Sequence, residues 1–336
     1  MKRNMQKWIT EVIQTEKKNA IPILSFPCIQ LLDVTVKDLI SDSSLQAKGM
    51  KAVADRVPSG AAVSLMDLSV EAECFGSSIR VSDDEVPTIV GSIVNDPDEA
   101  DALVIPEVGA ARTGLYIDAI EKAVELIQDR PVLARVIGPF SLAGRLMDVS
   151  EAMIYCYEEP EMVHTVMEKV TTFVINYCKA YKAVGANGVM IAEPLAGLMS
   201  PTLAREFAHP YVKKVIEAVQ DDDFAVIYHN CGDNVPLMAK DIYQLGASGY
   251  HFGDAIRMAD MLPDAPKEVL VMGNVSPSKE FRNGTPESIE EATKKVIEEC
   301  AGYPNFLISS GCDIPPMSPW ENIDAFFAAV DEVYDR

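Results

Sequence analysis

With 336 residues, 48% of them hydrophobic and 24% charged, the chain is long enough for two average domains or one α/β barrel. Its 51 acidic and 29 basic residues leave a formal net charge of −22. That excludes sequence-independent binding to nucleic acid or to an anionic membrane, which both need clustered Lys and Arg.

The N-terminal stretch "MKRNMQKWITEVIQTEKKN" starts basic but reaches no apolar h-region, so residues 1–19 predict a helical extension rather than a signal peptide. From residue 20 onward, short β-rich apolar runs alternate with amphipathic stretches. The runs are "IPILSFP" (21–27), "AAVSLMDL" (61–68), "VLARVIGPF" (132–140) and "GVMIAEP" (188–194). They continue with "FAVIYHNCG" (224–232), "GYHFGDA" (249–255), "VLVMGNV" (269–275) and "NFLISSGCDIP" (305–315). Eight near-continuous apolar strands with helices between them predict a parallel sheet covered on its outer face. That number favours a closed (β/α)8 barrel. Residues 20–336 read as one such domain, with an insertion at about 69–131 and a small hairpin around "SSIRVSDDEVPTIV".

Two local signals support regular β/α units. "VGANGVMIAEP" and "LGASGYHFGDA" share Gly-Ala-X-Gly before a strand, where glycine ends a helix in the left-handed region. "TPESIEEATKKVIEECA" (285–301) opens with Thr285 as N-cap and Pro286 in the first turn. Ser288 holds the third position, so the reciprocal glutamate of a full capping box is absent.

In a barrel of this kind the chemistry sits at the C-terminal ends of the strands. Those ends supply Cys28, Asp67, Glu193, His229, Cys231, His251, Asp254, Asn274, Cys312 and Asp313. His229 and Cys231 stand at i and i+2, so on a strand they face the same side. Cys312 ends the eighth run, and barrel closure can bring it to them. One nitrogen and two sulfurs form a soft set suited to Zn²⁺ with an open fourth position. The residues alone also allow a strand-end histidine with two unrelated buried cysteines; the barrel context favours metal. Asp67, Asn230 and Glu193 are candidate substrate contacts, Asp67 and Glu193 each alternatively capping a helix or pairing with an arginine such as Arg135. The seven scattered cysteines suit a reducing cytoplasm, no run approaches the ~20 apolar residues of a membrane span, and no glycine-rich phosphate loop implies a nucleotide.

The segments "VIGPFSLAGRLM", "GANGVMIAEPLAGLMSPTLAREFAHPYVKKV", "YHNCGD", "VMGNVSP…GTPE" and "SSGCDIPPMSPWENIDAF" together resemble the uroporphyrinogen decarboxylase superfamily. Within it they are similar to the zinc-dependent, corrinoid-linked methyltransferases, from about residue 20 to the C-terminus. The resemblance implies a barrel whose funnel accepts a tetrapyrrole-sized ligand or a docked corrinoid, with zinc on a His-X-Cys motif and a distant Cys. Those positions match His229, Cys231 and Cys312. An acidic fourth ligand after the sixth strand finds Asp254 or His251 here. The decarboxylases of the family carry arginines after their first strand, where this chain reads "SFPCIQLLDV" with none. The expected function is therefore methyl transfer between a corrinoid protein and a small substrate, either a thiol acceptor or a methoxy- or methylamine-type donor. The alternatives are a decarboxylase and a non-catalytic corrinoid-binding barrel.

Overall fold

Strands that are apolar at nearly every position are stable only where both faces of their sheet are covered. In the computed structural model, which describes residues 3–335, the strands in chain order are β1 (Ala62–Val63), β2 (Ser78–Arg80), β3 (Thr88–Val90), β4 (Val132–Ile137), β5 (Gly188–Ala192), β6 (Ala225–Asn230), β7 (Gly249–Phe252), β8 (Leu270–Val275) and β9 (Phe306–Ser310). All except β2 and β3 join one parallel sheet in the order β1-β4-β5-β6-β7-β8-β9. Every residue of those seven strands is buried. The short pair β2–β3 forms the antiparallel hairpin within residues 69–131, matching Ser78 to Val90 and Arg80 to Thr88.

The eighth member differs from the expectation. Residues 21–27 form no ladder, yet they run between the two edges of the sheet. Ile21 N donates to Ile308 O of β9 (3.2 Å), and Gly60 N, just before β1, donates to Ala20 O (2.9 Å). Pro22 has no N–H to give, and the next donor, Ile23 N, goes to the Ser310 hydroxyl (2.9 Å). The segment closes the barrel through these mixed bonds rather than as a strand.

Alternation then sorts side chains into two populations. Outward residues such as Val132, Val136, Val189 and Val226 pack under the helices. Inward residues form a separate apolar cluster that includes Ile23, Val63, Leu133, Met190, Ile227 and Met272. The helix Met5–Gln14 packs Met5 and Ile9 into this inner cluster. Asn4 caps that helix by accepting from Lys7 N at 2.7 Å, and Met5 N bonds Asp222 O at 2.7 Å, ahead of β6. The helix therefore plugs the N-terminal end and leaves the other mouth for chemistry.

Local signals resolve in two ways. Gly185 (φ 95°) and Gly246 (φ 82°) adopt the left-handed conformation expected before β5 and β7. The helix Pro286–Cys300 completes a capping box without that glutamate. Thr285 N donates to the Ser288 hydroxyl (3.0 Å) while Ser288 N donates to Thr285 Oγ1 (3.3 Å), so a serine hydroxyl replaces the glutamate carboxylate. No described helix is long and apolar enough to cross a membrane.

Truncating a fully buried aliphatic side chain removes its transfer energy and leaves a cavity. Ile9→Ala should lower unfolding stability by about 2–4 kcal/mol in denaturant titration. Metal content should not change, because Ile9 lies at the end of the barrel opposite the cysteines.

Candidate metal centre

His229 is the fifth residue of β6, and Cys231 follows that strand's end. Both face the lumen, as their i, i+2 spacing requires. Cys312 lies two residues beyond β9. The ligand atoms of these three residues all lie within 4.8 Å of one another, although 80 residues separate the two cysteines along the chain. His229 is 1% exposed, whereas both cysteines are half-buried, so the set opens toward the mouth.

A hydrogen-bond chain orients the histidine. Ser309 Oγ must donate to the Ile21 carbonyl (2.8 Å), because a carbonyl only accepts. Its remaining role toward His251 Nε2 (2.8 Å) is to accept, which places a proton on that nitrogen. Burial first, and His229 second, hold the His251 imidazole well below its ordinary pKa, so the ring is neutral and its Nδ1 accepts. His229 Nδ1, 2.8 Å away, is therefore the donor. With the Nδ1 proton so engaged, Nε2 is the nitrogen left to act as a ligand, and it faces Cys312 Sγ at 3.5 Å. The outer partner thus fixes the tautomer of the ligand, as around many metal-bound histidines.

The thiols are coupled. A hydrogen bond to Cys231, reinforced by burial, pushes the Cys312 thiol up to about 12. The same bond, received by Cys231, holds that thiol below its usual value. Burial alone dominates at Cys28 and Cys300, each near 12, and these behave as packing residues. Glycines make room for the pair: a Cβ on Gly253 would collide with Cys231, and one on Gly311 would press on Asp254.

The donor set fits zinc. Sulfur and nitrogen at about 2.3 and 2.1 Å from a tetrahedral ion stand about 3.5 Å apart, which is the Cys312–His229 separation. His251 is corrected as a ligand, since both its ring nitrogens are engaged in holding His229. Asp254 is exposed at the rim beside Gly311 and lies outside the three-residue set.

The three residues expected as substrate contacts have protein partners in the structure. Asn230 points to the outer face, donating to Tyr228 OH (2.9 Å) and accepting from Gly232 N (3.0 Å); position 230 falls between the two inward residues. Glu193 is fully buried and its two oxygens accept from Phe140 N (3.0 Å) and Ser141 N (2.6 Å). It caps the helix Pro139–Met147 and does not pair with Arg135. Burial raises its carboxyl to about 7. Asp67 is saturated: Oδ1 accepts from Ser69 N and Oγ, and Oδ2 from Arg112 Nη1 (2.5 Å) and Tyr116 OH (2.8 Å). It ties the loop after β1 to the helix Thr113–Leu126. Ser309 and Gly253 were the site residues that sequence reasoning missed. The signal for Ser309 was its inward parity with Leu307.

Two outcomes follow for the metal. Because Cys312 holds its proton well above neutral pH, metal must displace it; uptake should release protons, and affinity should fall about tenfold per pH unit per proton as pH drops. Competitive chelation at several pH values measures this. Ser309→Ala, which breaks the orienting chain without touching a ligand, should weaken zinc binding by about 10–100-fold. An unchanged affinity would show that the chain does not set the tautomer.

Comparison with known proteins agrees with the fold. Residues 20–333 match the family model for uroporphyrinogen decarboxylase (URO-D). The chain is 29% identical over 265 residues to the methylcobamide:CoM methyltransferase MtbA of Methanosarcina acetivorans, covering 76% of this chain and 75% of that one. It is 30% identical over 215 residues to a uroporphyrinogen decarboxylase of Synechococcus, covering 61% and 59%. Among solved structures, a methyltransferase from Methanosarcina mazei superposes with a TM-score of 0.85 at 22% identity, covering 98% of this chain and 99% of the other. With the family model spanning almost the whole barrel, the chain belongs to the uroporphyrinogen decarboxylase family.

Proposed function

We propose that this protein is a zinc-dependent methyltransferase that moves a methyl group between a corrinoid carried by a partner protein and a small substrate. The observation that carries the reading is the convergence of His229 Nε2, with its lone pair directed by His251, on two thiols at the barrel mouth. The relatives named methylcobamide:CoM methyltransferase support it. A decarboxylase acting on a polyanionic tetrapyrrole is disfavoured, because the helix Cys28–Leu32 after the first barrel segment offers no cation.

His229, Cys231 and Cys312 would hold the zinc, with the fourth position left to water, substrate or Asp254. Bound there, zinc supplies Lewis acidity that lowers the pKa of a thiol or polarises an ether or amine heteroatom. The chain's own residues do the rest. His251 and Ser309 hold the Nδ1 proton of His229 and aim its ring, and the glycines at 253 and 311 let Cys231 and Asp254 approach. The substrate's heteroatom and the incoming methyl carbon meet at the open mouth, in either direction of transfer.

A partner is expected to cover that mouth. Leu198, Leu237 and Met317, in loops after β5, β6 and β9, are 50%, 69% and 44% exposed. Apolar side chains grouped around a site mark interaction surfaces. A carrier that must visit other enzymes calls for a transient interface, and an apolar rim around a polar centre suits that. The described cysteines are all unpaired, in keeping with a cytoplasmic enzyme.

Two experiments test the proposal. Purified protein should carry about one zinc per chain, and Cys312→Ala should lower methyl transfer from methylcobalamin to thiols, or from methyl ethers to cobalt(I) cobalamin, by more than about a hundredfold. Metal bound but no transfer in either direction, with a cognate corrinoid protein present, would leave the non-catalytic corrinoid-binding barrel in its place. Leu237→Glu should slow transfer from the corrinoid protein by about tenfold while sparing free methylcobalamin. Equal loss with both donors would remove Leu237 from the docking surface.

A further inference from the structure

The two cysteines of the metal centre stand where they can bond each other instead of a metal. Their sulfurs and a ring nitrogen of His229 lie within 4.8 Å of one another, and the two thiols share a hydrogen bond. Neither residue belongs to the sheet ladder. Cys231 follows the end of β6, and Cys312 lies two residues past β9. Both are half-buried at the open mouth, so a small solute reaches them from there.

The other five cysteines each lack one of these conditions. Cys28, Cys156, Cys178 and Cys300 are at most 5% exposed. Cys74 is half-buried, but its sulfur lies against oxygens. These are the Glu107 and Ala110 carbonyls at 3.9 and 3.5 Å and Thr113 Oγ1 at 3.9 Å. Those contacts offer no second thiol on which an oxidation could finish.

Resting on the zinc reading above, we propose that Cys231 and Cys312 form a redox switch: a hydroperoxide joins them in a disulfide that excludes the metal, and a dithiol reopens the site. One sulfur attacks the peroxide and takes one oxygen as a sulfenic acid, while the thiol's proton leaves with the other oxygen as water. The neighbouring thiol then forms the S–S bond, and its proton leaves with the sulfenic OH as a second water. Two thiols are oxidised and one peroxide is reduced. Exchange with a dithiol returns both thiols and leaves the dithiol oxidised to its own disulfide.

A disulfide sulfur is no longer the thiolate that zinc requires. Closure therefore removes two of the three ligands and leaves His229 alone. Conversely, zinc held on both sulfurs keeps them from joining, so metal and disulfide compete for one pair of atoms. In a reducing compartment the open pair is the resting state, and a disulfide formed there is a transient signal.

The test is oxidation of the full-length chain by hydrogen peroxide, on zinc-loaded and zinc-stripped samples. Free thiols are counted after denaturation, released zinc is read with a chromogenic chelator, and the link is located by peptide mass mapping. Two of the seven thiols should be lost to a Cys231–Cys312 link, with about one zinc released per link. Zinc should raise the peroxide needed for half-closure by about tenfold or more, since the metal competes by mass action. Dithiothreitol followed by zinc should restore the starting state. Cys231→Ser and Cys312→Ser should each abolish the link and leave a sulfenic acid that dimedone traps, whereas the Cys74→Ser protein should close as the wild type does. The wild-type map needs no variant, so poor folding of either serine variant does not blunt it. Loss of thiols without a Cys231–Cys312 link, or a link that forms while zinc stays bound, would overturn the proposal. A chain that takes up no zinc before peroxide is added ends the zinc reading instead, and the map of the stripped chain still shows whether the pair closes.

Discussion

The proton on His229 Nδ1 is the constraint on which the site depends, and it is set three residues away in space. A backbone carbonyl, Ile21 O, can only accept, so Ser309 donates to it, His251 donates to Ser309, and His229 donates to His251. Each member has one role left once the previous one is assigned. The carbonyl that starts the chain belongs to the segment that closes the barrel, and Ile21 N from the same residue bonds β9. Closure of the fold and the tautomer of the ligand are thus secured by one residue's two backbone groups. Had His251 been exposed, protonation would have turned its Nδ1 into a donor and reversed the bond to His229; burial opposes this.

The barrel separates a dry end from a polar end. Below the histidines the lumen is filled by aliphatic side chains and plugged by the helix Met5–Gln14. Above them, Asp67 and Glu193 are satisfied by backbone amides, hydroxyls and Arg112, while Glu71 and Asp313 each keep one buried oxygen unpartnered. Glu193 caps a helix start and Asp67 anchors the loop after β1, so these acids organise the mouth instead of facing a ligand. This leaves few free groups there, and gives weight to those that are unpartnered.

Much of this was legible from residue order. Parity on β6 places His229 and Cys231 on one face, and the eight apolar runs imply closure, which brings Cys312 to them. Legibility failed where the chain used a residue for its backbone rather than its side chain. Pro22 and the Ser310 hydroxyl keep residues 21–27 out of a ladder. Asn230 has the right neighbours for a site and the wrong parity. Glu193 and Asp67 sit at strand ends, as catalytic acids do; capping or an arginine pair is open to both on sequence, but the partners themselves, two amides for Glu193 and Arg112 with hydroxyls for Asp67, are assembled only by folding. Ser309 carries no motif at all; its part depends on a carbonyl 288 residues away along the chain.

The placement of cations separates this chain from relatives that act on polyanionic tetrapyrroles. Several carboxylates on one substrate demand several cations, and the segment after the first barrel run supplies none. A chain of net charge −22 also repels such a substrate over distances longer than a contact.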